Sequence, residues 1–298
     1  MPNMTGWKKD KYDRRDFMYG VRAGVPPTSV DLSNLLPAVR NQESMNACVG
    51  FGIGANLCGM AKEKGIFTEW YSPQWIWNGA RFVEGTLAEN VGVYPRDALD
   101  WLLNSGCLLE SFWPFSGTTL DKSAPSSARM NQAIKYRNFA YYRVGDGVDG
   151  LRSALAEGHL VSIGCPWPTK WFDPVSGAEA EVTADDELSG GHETLVYSYN
   201  DEFQRFYSLN SWGDSWGDKG KFSWPYSALA VFKAWGGYDA HYMTFDAEPV
   251  PPGPTPTPEP PPAPTRSTCI FGNGLASALN AVLKVGGRRG RFYYLNPK

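Results

Sequence analysis

The 298-residue chain is 42% hydrophobic and 20% charged, with a formal net charge of −3. That is the balance of a globular protein whose body has no general attraction for nucleic acid or an anionic membrane. No run approaches the length of a membrane span, and the N-terminal stretch lacks the apolar core of a signal peptide. Five cysteines, Cys48, Cys58, Cys107, Cys165 and Cys269, form no closely spaced pair. Their odd number leaves at least one unpaired, and a reducing compartment is the simplest setting. No Cys/His spacing suits zinc, so neither metal nor cofactor is expected.

In chain order, the first half reads as helices. Asn46 stands where it would cap a helix running from Ala47 or Cys48 to Lys64, with Gly65 as its stop. Gly50, Gly52, Gly54 and Gly59 lie inside it. Each costs about 1 kcal/mol against Ala, which implies a buried helix that other segments approach closely. Ser72-Pro73 opens a second helix and Pro95 a third, because proline suits the first helical turn. A short fourth helix is predicted over Gly150–Glu157. After Gly158 the texture changes: Leu160–Cys165, His192–Tyr199 and Arg205–Leu209 are short β-branched or aromatic runs bounded by turn residues. Helices first and strands later predict an α+β body of two lobes, with room for a substrate in the cleft between them.

The stretch 248–265 holds ten of the 23 prolines and reads as a semi-rigid spacer. It divides the chain into a body, 1–247, and a tail, 266–298. The tail carries six Lys and Arg and no Asp or Glu, so it is +6 and the remainder −9. Its 33 residues are too few to bury much core alone, and it reads either as a docking module for a larger assembly or as a mobile basic tail.

Three separated residues suggest shared chemistry. Cys48, at the first turn of a helix, feels the positive end of the helix dipole, which favours thiolate. Of the three histidines, His192 opens a strand after Ser189-Gly190-Gly191 and can reach into a cleft. Asn210, in Leu209-Asn210-Ser211-Trp212-Gly213, ends a later strand with an amide able to fix the imidazole tautomer.

Gln42 to Cys48, then Gly191-His192, then Asn210-Ser211-Trp212-Gly213-Asp214-Ser215-Trp216-Gly217 resemble the signature of the papain-like cysteine peptidases. The resemblance spans roughly Gly6 to Asp246. Tyr71-Ser72-Pro73-Gln74, Tyr94-Pro95 and Trp113-Pro114-Phe115 are similar to bacterial and viral members in particular. It implies a two-lobed fold, helical N-terminal lobe against β-rich C-terminal lobe, acting on polypeptides through an acyl-enzyme. Cys48 would be the nucleophile, His192 its base, Asn210 the orienter, and Gln42 an oxyanion donor beside the Cys48 N–H. Trp212 would shield the His192–Asn210 bond, Trp216 would line the leaving-group side, and Val93 and Gly191 would line the substrate groove.

The sequence departs from the family at several points. Met45 and Asn90 stand where many members place a disulfide pair. Val93 replaces a glycine, and its side chain is expected to narrow the groove. Glu193 follows the histidine where a small apolar residue is usual, and Glu43 follows Gln42; a carboxylate facing the site would disfavour thiolate. The stretch ahead of Asp31-Leu32 is too short for the family's long inhibitory pro-region, so control is expected from elsewhere or not at all. The alternatives are a weak or spent site in a structural component, for example of a virion, and another Cys-His acyl transferase or amidase. A cytoplasmic or virion-associated setting follows.

Overall fold

The computed structural model describes residues 5–11, 13, 18–19, 25–67, 69–136, 139–145, 147–173 and 179–245, the pair 18–19 by backbone alone. The spacer and tail identified in the sequence, 248–298, lie outside the described residues.

Helix α1 (Cys48–Glu63) is the axis of the molecule, with 14 of its 16 residues buried. Its glycines earn their place by close approach: a Cβ at Gly59 would collide with Leu160, and one at Gly52 would come within 2.9 Å of Glu193 Oε1. Helix α2 (Pro73–Glu84) starts where Ser72 Oγ accepts from the Trp75 N–H and stops at left-handed Gly85. Helix α3 (Pro95–Ser105) likewise has proline in its first turn and ends at Gly106. Both starts follow from the missing proline N–H, which a first helical turn does not use. Helices α4 (Ser127–Ala133), α5 (Val148–Ala156) and α6 (Ala228–Ala234) complete the described set.

Among the described residues eight strands make one sheet: β1 (Met18–Tyr19), β2 (Ser29–Asp31), β3 (Phe139–Val144), β4 (Val161–Pro168), β5 (Leu188–Asn200), β6 (Arg205–Leu209), β7 (Lys221–Pro225) and β8 (Asp239–Phe245). Their order is β1-β3-β8-β4-β5-β6-β7, with β2 pairing the far end of β5. Two main cores result. One, around Trp75, Trp77, Leu99 and Trp101, is shared by α1, α2 and α3; the other, around Trp167, Trp171, Phe206 and Trp224, lies within the strands with α5 and α6. This is the α+β arrangement of a helical lobe followed by a β-rich one. Among the described residues no helix is long and apolar enough to cross a membrane.

One local expectation is corrected. Ala47, not Asn46, precedes α1, and no side chain caps that end. Asn46 is engaged elsewhere: its N–H donates to Asn90 Oδ1 (2.9 Å) and its Nδ2 to Asn90 O (2.8 Å). Asn90 Nδ2 in turn donates to Ser44 O (3.0 Å). Three hydrogen bonds thus tie the turn that carries Cys48 to the loop before α3, where the resemblance implies a disulfide in relatives.

Candidate active site

Three elements supply the expected residues. Cys48 is the first residue of α1, His192 lies on β5, and Asn210 follows β6. All three are buried. The imidazole Nε2 lies 2.7 Å from Asn210 Oδ1. That oxygen also accepts from the Ser211 N–H (2.8 Å). A backbone amide can only donate, so the Asn210 atom facing the ring is its oxygen and Nε2 carries the proton. Nδ1 is left as the basic nitrogen. Trp212 and Trp167 hold the ring, with centroids 4.5 and 4.6 Å away. Trp212 stacks on Phe172 at 5.1 Å, and Trp216 meets Trp212 edge-on at 5.3 Å while donating to Phe172 O. These rings keep water from the imidazole–amide bond.

Gln42 joins the two halves of the site. Its N–H donates to Ser211 O (2.8 Å), Ser211 Oγ donates to its Oε1 (2.6 Å), and its Nε2 donates to Met45 O (2.7 Å). The amide group is therefore held with its NH₂ toward the turn that carries Cys48.

The backbone N–H groups of Glu193, Gly6 and Val49 act on the Cys48 sulfur. Complete burial nonetheless pushes the thiol up to about 12, and the Glu193 carboxylate adds to the rise. This corrects the expectation from helix position alone: in this conformation desolvation outweighs the favourable end of the helix. Burial also raises the thiols of Cys58, Cys107 and Cys165.

The sulfur is buried because the groove is occupied by the chain itself. Val93 N donates to Gly6 O (2.9 Å), Trp7 N to Gly191 O (3.0 Å), and Lys8 N to Val93 O (3.0 Å). Trp7 pairs with Val93 in the parallel sense. Val93 and Gly191 thus meet residues 6–8 through their backbones. With residues 6–8 docked on it, the Val93 side chain is fully buried and packs in the first core. The Trp7 indole lies on Gly164 and Gly191, where a Cβ at either position would collide with it. Lys8 Nζ pairs with Glu84 (2.8 Å), and Asp10 N donates to Asp239 Oδ2 (2.7 Å). Nothing in residues 5–10 marks this docking locally; Gly6, packed where a side chain would strike the Asn46 carbonyl, is the one retrospective sign.

The two carboxylates flagged beside the site behave differently. Glu43 is exposed, in a left-handed turn, and packs on Gly117. Glu193 is fully buried against α1 at Gly52, and burial together with Asp10 and Asp239 raises its carboxyl well above the usual range. The other histidines have other settings: His159 stacks on Tyr242 (4.3 Å), and His241 lies 3.8 Å from Asp10 Oδ2. Among the described residues no group of three metal-ligating side chains is placed to hold a metal ion.

Known proteins share this fold. The structure superposes on xylellain, a cysteine protease from Xylella fastidiosa, with a TM-score of 0.74 and 25% identity, over 83% of this chain and 97% of the other. The chain has the papain-like fold of a cysteine protease. The same papain-like fold is found in digestive procathepsin L 3 of Tenebrio molitor (TM-score 0.61, 18% identity, 82% of this chain and 77% of that one). Bromelain from Ananas comosus shares it too (TM-score 0.56, 16% identity, 74% of this chain and 100% of that one). By sequence this papain-like chain is 21% identical over 256 residues to an uncharacterized peptidase C1-like protein of Acanthamoeba polyphaga mimivirus, covering 76% of this chain and 82% of that protein. No family model matches the sequence.

Proposed function

We propose that the chain hydrolyses peptide bonds through Cys48, His192 and Asn210. The observation that carries this reading is the Asn210 oxygen held by Ser211 and His192 together, which leaves the imidazole with Nδ1 as base. In the reaction Nδ1 takes the Cys48 proton, and the sulfur attacks the peptide carbonyl. The oxyanion accepts from the Cys48 N–H and a Gln42 Nε2 proton; one such donor contributes about 3 kcal/mol to the transition state. The imidazolium then protonates the departing amine, and water attacks the thioester with His192 again as base. Trp212 and Trp216 line the leaving-group side. The peptide runs along Val93 and Gly191, whose backbone groups now pair with residues 6–8.

In this conformation the enzyme is latent. A substrate reaches the sulfur only after residues 5–10 leave the groove, so control lies in a segment far shorter than a folded pro-region. The second reading, a spent site in a structural component, draws on the same occlusion and on the viral relative. The body 1–247 would carry the chemistry, 248–265 would act as spacer, and 266–298 would dock to a larger assembly such as a virion.

The test is competitive alkylation with iodoacetamide on the full chain carrying Gly6→Ala, whose Cβ collides with the Asn46 carbonyl and lifts the segment. Cys48 should be modified far faster than Cys58, Cys107 or Cys165, and Cys48→Ala should abolish cleavage of a peptide library. Equal labelling of these cysteines with no cleavage would leave the structural reading standing.

A further inference from the structure

Behind the candidate site lies a cavity that the proposed chemistry does not use. Phe51 and Gly52 of α1, Glu193 of β5, Asn210, Trp70 and Arg40 bound it, and none of residues 5–10 lines it. It is therefore distinct from the groove that those residues fill. Its free space admits little more than a water molecule or a monatomic ion.

The polar groups around it are mostly donors. Asn210 is 3% exposed; its Oδ1 serves His192 and Ser211, but its buried Nδ2 has no hydrogen-bond partner among the described residues. The Trp70 Nε1 is buried in the same condition. Arg40 adds a guanidinium, which pairs with Glu110 (2.7 Å) and lies 5.4 Å from the Trp70 ring centroid. Buried N–H groups are costly unless an acceptor meets them. Glu193 is the only acidic residue among the described ones that line the cavity. It stands in one row with Gly164 of β4 and Asp239 of β8 across adjacent strands. Burial, reinforced by Asp10 and Asp239, raises its carboxyl well above the usual range, so near neutral pH it brings no negative charge.

We propose that this cavity binds a small monovalent anion of halide size, held by the N–H groups of Asn210 and Trp70 beside the Arg40 guanidinium. A halide accepts from several donors at once, and such bonds are charge-assisted. An anion on Nδ2 also fixes the orienting amide from the side away from His192. A flipped Asn210 would turn its oxygen towards the anion, so the flip is disfavoured. That effect on His192 rests on the peptidase reading; binding itself does not. The other titratable groups facing Glu193 are Cys48 and Cys165, both neutral because burial raises their thiols. Ionisation of Glu193 would repel the anion, so binding should weaken as pH rises, and Glu193→Gln should remove that weakening.

The test is proton–nitrogen NMR of the Trp70 indole N–H and the Asn210 side-chain amide, on the full chain carrying Cys48→Ala. Sodium chloride replaces sodium gluconate at constant ionic strength, since gluconate is too large for the cavity. Both signals should shift and saturate with chloride. Trp70→Phe, which keeps a ring beside Arg40 but loses the N–H, should weaken the response at Asn210 by about tenfold or more. Signals unmoved by chloride, or moved equally by sodium sulfate, overturn the site and leave a cavity for water alone. On the full chain carrying Gly6→Ala, chloride should raise kcat for peptide cleavage severalfold with KM unchanged, and Trp70→Phe should lose the rise but keep the rate measured in gluconate. An active chain whose kcat ignores chloride overturns the hold on Asn210. Saturable binding in a chain that cleaves nothing supports the site and sinks the peptidase reading instead.

Discussion

His192 and Glu193 are neighbours on β5, yet their surroundings are opposite in kind. His192 is roofed by Trp167 and Trp212 and bonded to an amide that is itself fixed by a backbone N–H. Glu193 points to the other side, against Gly52, with no hydrogen-bond partner for its carboxyl among the described residues. The first is an environment completed in advance, in which any substitution removes something already in use. The second is an environment left open, where the resident side chain costs stability.

Substitutions can break or sharpen this contrast. The largest effect is expected on the finished side. Asn210→Ala removes the acceptor of Nε2 and frees the imidazole tautomer, and should lower kcat by about two to four orders of magnitude with little change in KM. Steady-state kinetics on an opened variant would show it, and a loss below tenfold would mean that the amide does not orient the ring. Next comes the cover over both sides. Gly6→Ala should speed alkylation of Cys48 by about tenfold to a hundredfold, because the added methyl meets the Asn46 backbone, which cannot yield. An unchanged rate would show that the docked segment does not control access.

A smaller effect tests the acidic cluster under the segment. Asp10 is raised to about 7 by burial and by Asp239, against the lowering influence of Arg96 and Arg143. Also facing it are Glu193 of β5 and His241 of β8, the latter lowered to about 3 by burial and therefore neutral. A carboxyl raised in the docked state binds its proton on docking, so docking is favoured at low pH and weakens as pH rises towards 7. Between pH 6 and 8 the docking constant should fall about tenfold. Hydrogen exchange of residues 5–10 should record that loss of protection, and Asp10→Asn, which keeps an acceptor for the Arg96 N–H, should flatten it.

The smallest effects are in stability, and their signs differ between regions. Glu193→Met replaces an unserved carboxyl with an apolar group of similar volume and should raise stability by about 1–3 kcal/mol in urea titrations. Asn90→Ala severs the two bonds that its side chain makes to the Cys48 turn, leaving the one to its backbone carbonyl, and should cost about 1–2 kcal/mol. Destabilisation by Glu193→Met would reveal a partner for that carboxyl.

Much of the frame was legible before any coordinates. Ser72-Pro73 and Tyr94-Pro95 start helices, and Arg205–Leu209 is a strand with the bounds expected. Phe139–Val144 and Asp239–Phe245 were not anticipated as strands; each becomes one by pairing with the other. The Asn46 cap was misread because a capping side chain and a cross-link to a distant loop have the same local signature. Gln42, Cys48, His192 and Asn210 were identifiable as types in an order. That Val93 pairs by its backbone with Gly6 and Lys8, and that Glu193 faces Gly52, were not.

The sequence by itself determined which side chains can do thiol chemistry and which segments can be helix or strand, because those are properties of residues and their near neighbours. Only the tertiary structure decided that residues 5–10 fill the groove and that Glu193, Gly164 and Asp239 stand in one row. Strand register and the occupancy of a cleft join positions more than a hundred residues apart. No local propensity fixes such pairings, and they emerge when the whole chain satisfies its buried backbone at once.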